Sequence, residues 1–151
     1  MPSKQALPNA LENLDSCGMA IRKIEQTVEY DDFTDGGSTA GTMNLSKQIP
    51  AGSFVIGSKV TVLTGFTGDT SCTLAIGDSG DSNCYSGNTT HNIYAAATNL
   101  VQPAYLTADC GLNAEASANS ILLTATGASD FTAITAGKII VEVFYFSTNP
   151  E

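Results

Sequence analysis

The feature that most constrains this chain is a two-residue hydrophobic rhythm, cut at short intervals by glycine and proline. Ile24, Gln26, Val28 and Tyr30 alternate with Glu25, Thr27 and Glu29, which reads as a strand with one wet face. Asp35-Gly36-Gly37-Ser38 breaks the pattern, and it resumes over residues 42–49. Pro50-Ala51-Gly52 has the residue order of a turn. Residues 54–66 give one or two strands kinked near Gly57, with Val60, Val62 and Phe66 sharing a face. Thr67-Gly68-Asp69-Thr70 is then expected to close a hairpin. In the returning strand Cys72, Leu74 and Ile76 point one way, while Ser71, Thr73 and Ala75 point the other. Residues 121–126 and 138–146 are the last strands. The final one is apolar on both faces except for Glu142. Such a strand lies at the centre of a sandwich or has its outer face covered by a partner.

The other segments are less regular. Residues 88–92 read as a loop, 93–97 and 104–107 as short strands, and 109–119 as a long polar connection. The first 20 residues differ from the rest. Leu7, Leu11, Leu14 and Met19 mark a short amphipathic helix over residues 8–16, with Pro8 at its start. We therefore divide the chain into an N-terminal arm (1–20) and a β domain (21–151). The arm is either a mobile tail or a segment that docks on a neighbouring subunit. Short strands at roughly ten-residue spacing, joined by glycine-rich connections, indicate an all-β, single-domain, jelly-roll-like β-sandwich.

Composition narrows the function. The 151 residues suit one domain with a real core. Charged residues make up 14%, against roughly 25% in an average globular protein. The formal net charge is -9, and six Lys+Arg are spread along the chain. That leaves no basic stripe for nucleic acid. No stretch is long and apolar enough to cross a membrane, and the first residues lack the apolar core of a secretory signal. The four cysteines, Cys17, Cys72, Cys84 and Cys110, are expected to be reduced thiols. Their spacings form no zinc pair, and Cys72 reads as a small core residue.

Enzyme templates find no match. The one histidine, His91, is read as an exposed loop residue. No nucleophile elbow or phosphate-binding glycine loop accompanies it. No cofactor is expected. The strongest chemical candidate is a calcium site at Asp78 and Asp81, in Gly77-Asp78-Ser79-Gly80-Asp81-Ser82-Asn83, since hard cations take several oxygens. The preferred reading of the same aspartates is that they make Asx turns that end a strand, with calcium the lesser alternative. Asp69, Asp78, Asp81 and Asp109 are poor candidates for glycosidase carboxylates, because the chain has no Trp to form a sugar platform. One local echo stands out. Asp32-Phe33-Thr34 and Asp130-Phe131-Thr132 each precede an Ala-Gly pair, Ala40-Gly41 and Ala136-Gly137, and then a strand. Both read as corners with a buried Phe and a turn bonded by Asp and Thr.

Taken in order, these pieces resemble the head decoration, or capsid cement, proteins of tailed bacteriophages. The pieces are Tyr30-Asp31-Asp32-Phe33-Thr34-Asp35-Gly36-Gly37, Gln48-Ile49-Pro50-Ala51-Gly52-Ser53-Phe54-Val55, residues 60–70, Leu74-Ala75-Ile76-Gly77-Asp78 with Asp81, Thr124-Ala125-Thr126, Asp130-Phe131-Thr132, and the closing strand to Phe146. The resemblance covers most of residues 24–146. Cys72, Cys84, Cys110 and the middle from Ser86 to Asn119 depart from it. It implies a jelly-roll-like domain on the outside of an icosahedral head, often trimeric, without catalysis. It also implies the major capsid protein and further copies of the chain as partners, and assembly onto the virion in the bacterial host cytoplasm. Neither nucleic acid nor membrane is a partner. The expected contact residues are Leu7, Leu11 and Leu14 of the arm and Phe144 and Phe146 of the closing strand. The rival reading is a β-sandwich that binds carbohydrate or a host surface through loops 77–92, or a head or tail fibre component.

Overall fold

The computed structural model describes residues 20–94, 98–99 and 115–147. Among them are nine strands: β1 (Ala20–Glu29), β2 (Thr34–Asp35), β3 (Ala40–Ile49), β4 (Ser53–Thr67), β5 (Cys72–Gly77), β6 (His91–Asn92), β7 (Thr98–Asn99), β8 (Asn119–Gly127) and β9 (Ala136–Ser147). The arm, with Leu7, Leu11, Leu14, Cys17 and Met19, lies outside the described residues, as do Cys110 and residues 104–107.

The strands form two antiparallel sheets. One has the order β1-β9-β4-β7, the other β2-β3-β8-β5-β6. With the two-residue β2 set aside, eight strands remain. They pair first with last, second with seventh, third with sixth and fourth with fifth, as β1·β9, β3·β8, β4·β7 and β5·β6. A long hairpin rolled up on itself gives this pairing, and it is the jelly roll. The fold class read from the rhythm is therefore the one observed.

The rhythm also places the core. In β1, Ile24 and Val28 are buried while Lys23, Glu25, Thr27 and Glu29 are exposed. In β9, Ile139, Val141, Val143 and Tyr145 face inward. Val55, Val60, Val62 and Phe66 of β4 meet them from the same sheet, and Leu45, Ile49, Leu74, Ile76, Ile121, Leu123 and Ala125 come from the other. Phe33 packs edge-on to Phe66, ring centroids 5.9 Å apart and planes at 88°. Phe131 lies 5.9 Å from Phe33 on another side.

The two Phe corners interlock. Gly41, from the first Ala-Gly pair, lies against the Phe131 ring of the second corner, where a Cβ would overlap it. Gly137, from the second pair, lies in the same way against Phe66, the ring that meets Phe33 edge-on. The aspartates act differently from one another. Asp130 Oδ1 accepts from the Thr132 amide at 3.0 Å, whereas Asp32 Oδ2 accepts from the Glu29 amide behind it at 2.8 Å. So both phenylalanines are tucked in, as the echo suggests, but the shared Asp-Thr bonding is not.

Three expectations are corrected. Thr67-Gly68-Asp69-Thr70 does not close a hairpin, because β4 and β5 belong to different sheets. It is a corner that carries the chain across the sandwich. Gly68 takes φ 115 there, and a side chain would meet the Ala133 carbonyl. Asp69 ties this corner to the loop between β8 and β9, accepting from the Thr70 amide at 2.6 Å and the Ser129 amide at 2.7 Å. Second, residues 88–92 are not all loop: His91 and Asn92 form β6 and pair with Leu74 and Thr73. Third, Ile93 belongs to no strand. Its amide donates to the Cys72 carbonyl at 3.0 Å, and its carbonyl accepts from the Phe66 amide at 2.9 Å, joining β5 to β4 across the corner. At the other breaks the sequence reading holds. Ser53 N donates to the Pro50 carbonyl at 3.2 Å, closing the turn before β4. The register of β4 against β9 shifts between Val55 and Gly57, where a kink is expected.

Candidate interaction face

The outer face of the β1-β9-β4-β7 sheet is built by strand parity. Residues facing one another across antiparallel strands share a side, so the register lines up Ile21, Phe146 and Phe54 in one row. The next row inward has Lys23, Phe144 and Gly57, where the glycine leaves Phe144 without a side chain beside it. Ile21 is 65% exposed, and Phe54, Phe144 and Phe146 are half-buried. Four large apolar side chains thus gather at the end of the sheet where β1 begins. Phe144 and Phe146 were the expected members of this group. Ile21 and Phe54 join them only through the register, although the alternation in β1 already puts Ile21 on the wet face.

The third row is ionic: Glu25, Glu142 and Lys59 lie side by side. Glu142 Oε1 accepts from Lys23 Nζ at 2.7 Å, and its Oε2 is 3.0 Å from Lys59 Nζ. Lys23 Nζ also reaches Glu25 Oε2 at 2.6 Å. The Glu142 side chain is only 10% exposed, although it points away from the core. The Lys23 hydrogen bond holds its carboxyl below the usual range, and Lys59 adds to this. The bonds to Glu142 and Glu25 raise Lys23 to about 12. Further along, Lys138 Nζ meets Glu29 Oε1 at 2.7 Å. The face's three lysines and three glutamates cancel, so the formal charge of -9 resides on the rest of the chain.

The acidic loop after β5 is held by its own bonds. Asp78 Oδ1 accepts from the amides of Gly80 at 2.7 Å and Asp81 at 2.8 Å, and Asp81 Oδ1 accepts from the Asn83 amide at 3.1 Å. These are Asx turns, the second of the two roles open to these aspartates in sequence. Asp78 Oδ2 is turned the other way. There the Asn119 side-chain amide donates to it at 2.9 Å, and to Tyr85 Oη and Glu115 Oε2 at 3.1 Å each. The Tyr85 hydroxyl donates to Glu115 Oε1 at 2.7 Å, and burial pushes the phenol pKa up. Among the described residues no three His, Cys, Asp or Glu side chains converge as metal ligands. Cys72 and Cys84 are buried, and burial pushes the Cys72 thiol up to about 12, which keeps it protonated. His91 is not an exposed loop residue as expected. It is 8% exposed, and its Nε2 has no hydrogen-bond partner.

No protein-family profile matches the sequence, and no curated protein does. Among solved structures, a chain of the cyanophage Pam1 capsid asymmetric unit matches with a TM-score of 0.54. The match covers 86% of each chain, at 17% sequence identity. What the two share is the fold. Among the described residues no helix is long and apolar enough to cross a membrane.

Proposed function

We propose that this chain is a non-enzymatic structural protein of a tailed-phage virion. In this reading it decorates and stabilises the capsid as a homotrimer on the head exterior, assembled in the host cytoplasm, with the major capsid protein and its own copies as partners. The observation that carries the reading is the fold shared with a capsid chain across 86% of both lengths. The charge-neutral, partly apolar face of the β1-β9-β4-β7 sheet supports it. A lattice component must meet its neighbours without the repulsion that a net charge of -9 would impose. Phe144 and Phe146 are the proposed contact residues on this face, with Leu7, Leu11 and Leu14 supplied by the arm, residues 1–20. Residues 21–151 are the proposed lattice-bound domain. The rival use of loops 77–92 as a binding surface has less behind it, since Cys84, Tyr85 and Ser86 of that segment face inward.

The test is made on particles. Heads assembled without this protein are expected to lose resistance to heat and osmotic shock, and adding the purified chain should restore it. Electron microscopy should then show density on the head exterior with threefold symmetry. Heads that lack the protein yet match complete ones in both resistances would overturn the reinforcing role.

A further inference from the structure

Among the described residues the sheets end in β1, β7, β2 and β6. β2, β6 and β7 have two residues each. Behind them, β3 and β4 carry register shifts, and β5 has six residues. Short strands and bulges are how sheets keep their edges from pairing. β1 is the exception. It has ten residues, no proline, and an unbroken register against β9, its one neighbour among the described strands. A lysine on an edge strand ordinarily deters pairing. Here Lys23 Nζ lies 2.7 Å from Glu142 Oε1, back over the central β9. The strand is also held from within, where Gln26 Oε1 accepts from the Ser46 amide of β3 at 2.8 Å. An edge fixed in advance loses little freedom on binding.

The residues of β1 say what fits this edge. Arg22 and Lys23 balance Glu25 and Glu29, so the strand is neutral on a chain of formal charge -9. It can therefore approach a copy of itself without local repulsion. Antiparallel pairing of two β1 strands keeps buried and exposed faces together only when the two-fold axis passes through a residue. Axes at Arg22, Lys23 and Glu25 set like charges opposite each other. An axis at Thr27 does the same, opposing Glu25 to Glu29. An axis at Gln26 avoids this but aligns only positions 23–29. An axis at Ile24 aligns positions 20–28 and sets Lys23 opposite Glu25 on both sides of the centre. Both side chains lie on the exposed face of the strand.

We propose that β1 is a docking edge for β1 of a second copy, joined antiparallel about a two-fold axis at Ile24, with each Lys23 paired to Glu25 of the other copy. Main-chain hydrogen bonds then supply the affinity and the charge pairs fix the register. This goes beyond the virion role and does not depend on it, since it is a property of the purified chain. Phe144 and Phe146 stay open in such a pair, because they lie on the face of β9 and not on the β1 edge.

Sedimentation of the full chain over a rising concentration series should show a monomer–dimer equilibrium. Lys23→Glu or Glu25→Lys alone, each checked for an unchanged circular dichroism spectrum, should weaken association about tenfold. An equimolar mixture of the two variants should restore it as a heterodimer, because every glutamate then faces a lysine. The register is read by combining Ile21→Cys and Thr27→Cys, both exposed positions, in a chain with Cys17→Ser and Cys110→Ser. Within one strand these positions are about 20 Å apart, but between copies they stand opposite each other. Mild oxidation should therefore give a covalent dimer, and either cysteine alone should not. A chain that stays monomeric to about 1 mM would overturn the proposal. So would association untouched by either charge variant, or a mixture no tighter than its parts, because the contact would then lie elsewhere. Heads play no part in the assay, so its failure leaves the virion reading standing, and failure of that reading leaves this result standing.

Discussion

Protonating His91 places a charge where Nε2 has no partner and burial already lowers its pKa. The folded state thus binds the proton less readily than the unfolded chain, whose histidine titrates near about 6.5. Stability from this residue is full above that pH and is lost as the pH falls below it. The melting temperature should therefore fall between about pH 7 and about pH 5, a window above the one in which the carboxylates titrate. His91→Gln should flatten that slope whatever it does to the baseline, and thermal melts across the window will show it. A second residue-scale expectation concerns Gly41, whose missing side chain accommodates the Phe131 ring. Gly41→Ala should cost about 2 kcal/mol through overpacking. In a Phe131→Leu background the same change should cost less, because the ring that blocks the methyl is gone. Urea titrations of the four chains in this cycle measure the coupling directly.

Across elements, Glu142 links three strands by holding Lys23 of β1 and Lys59 of β4 from the central β9. Glu142→Gln leaves the two ammonium groups facing each other. It is expected to destabilise by about 1–2 kcal/mol, less than for a fully buried pair because the lysines stay partly in water. Added salt should recover part of the loss by screening the lysines. The wild-type contribution should vanish as the pH falls through the lowered Glu142 pKa, since only the ionised form binds both lysines. Melting temperatures of both chains at low and high salt test this. The strands that carry this cluster were legible in sequence, because alternation fixes which residues point together. What alternation cannot give is the identity of the neighbouring strand. Thr67-Gly68-Asp69-Thr70 satisfies the chemistry of a hairpin turn, yet β5 pairs with β8 and β6, and β4 with β9 and β7. A glycine with positive φ and an aspartate accepting amides serve either geometry. β6 was missed for a related reason. Two residues, one of them His91, are too short to show a period, and only the pairing with Leu74 reveals the strand. The row of Ile21, Phe146 and Phe54 needs three strands in register before it exists as a patch. Only the two phenylalanines of β9 could be named beforehand.

At the scale of the molecule, the sandwich is built mainly from contacts distant in sequence. β1 matches β9 over ten consecutive positions, from Ala20 opposite Ser147 to Glu29 opposite Lys138. β9 also separates β1 from β4. Until β9 arrives, β1 and β4 have no common neighbour, and the sheet that bears the candidate face has no centre. Such topologies fold slowly, because large loops must close before their contacts repay the lost entropy. During synthesis, β9 is the last of the nine described strands to leave the ribosome. β1 and β4 must wait for it with open edges, and β4 is the longest of the described strands at 15 residues. The pairing that finally joins the beginning and end of the domain therefore makes this a chain that cannot fold piecemeal as it emerges. Its period of greatest exposure to misassembly comes just before the last strand is added.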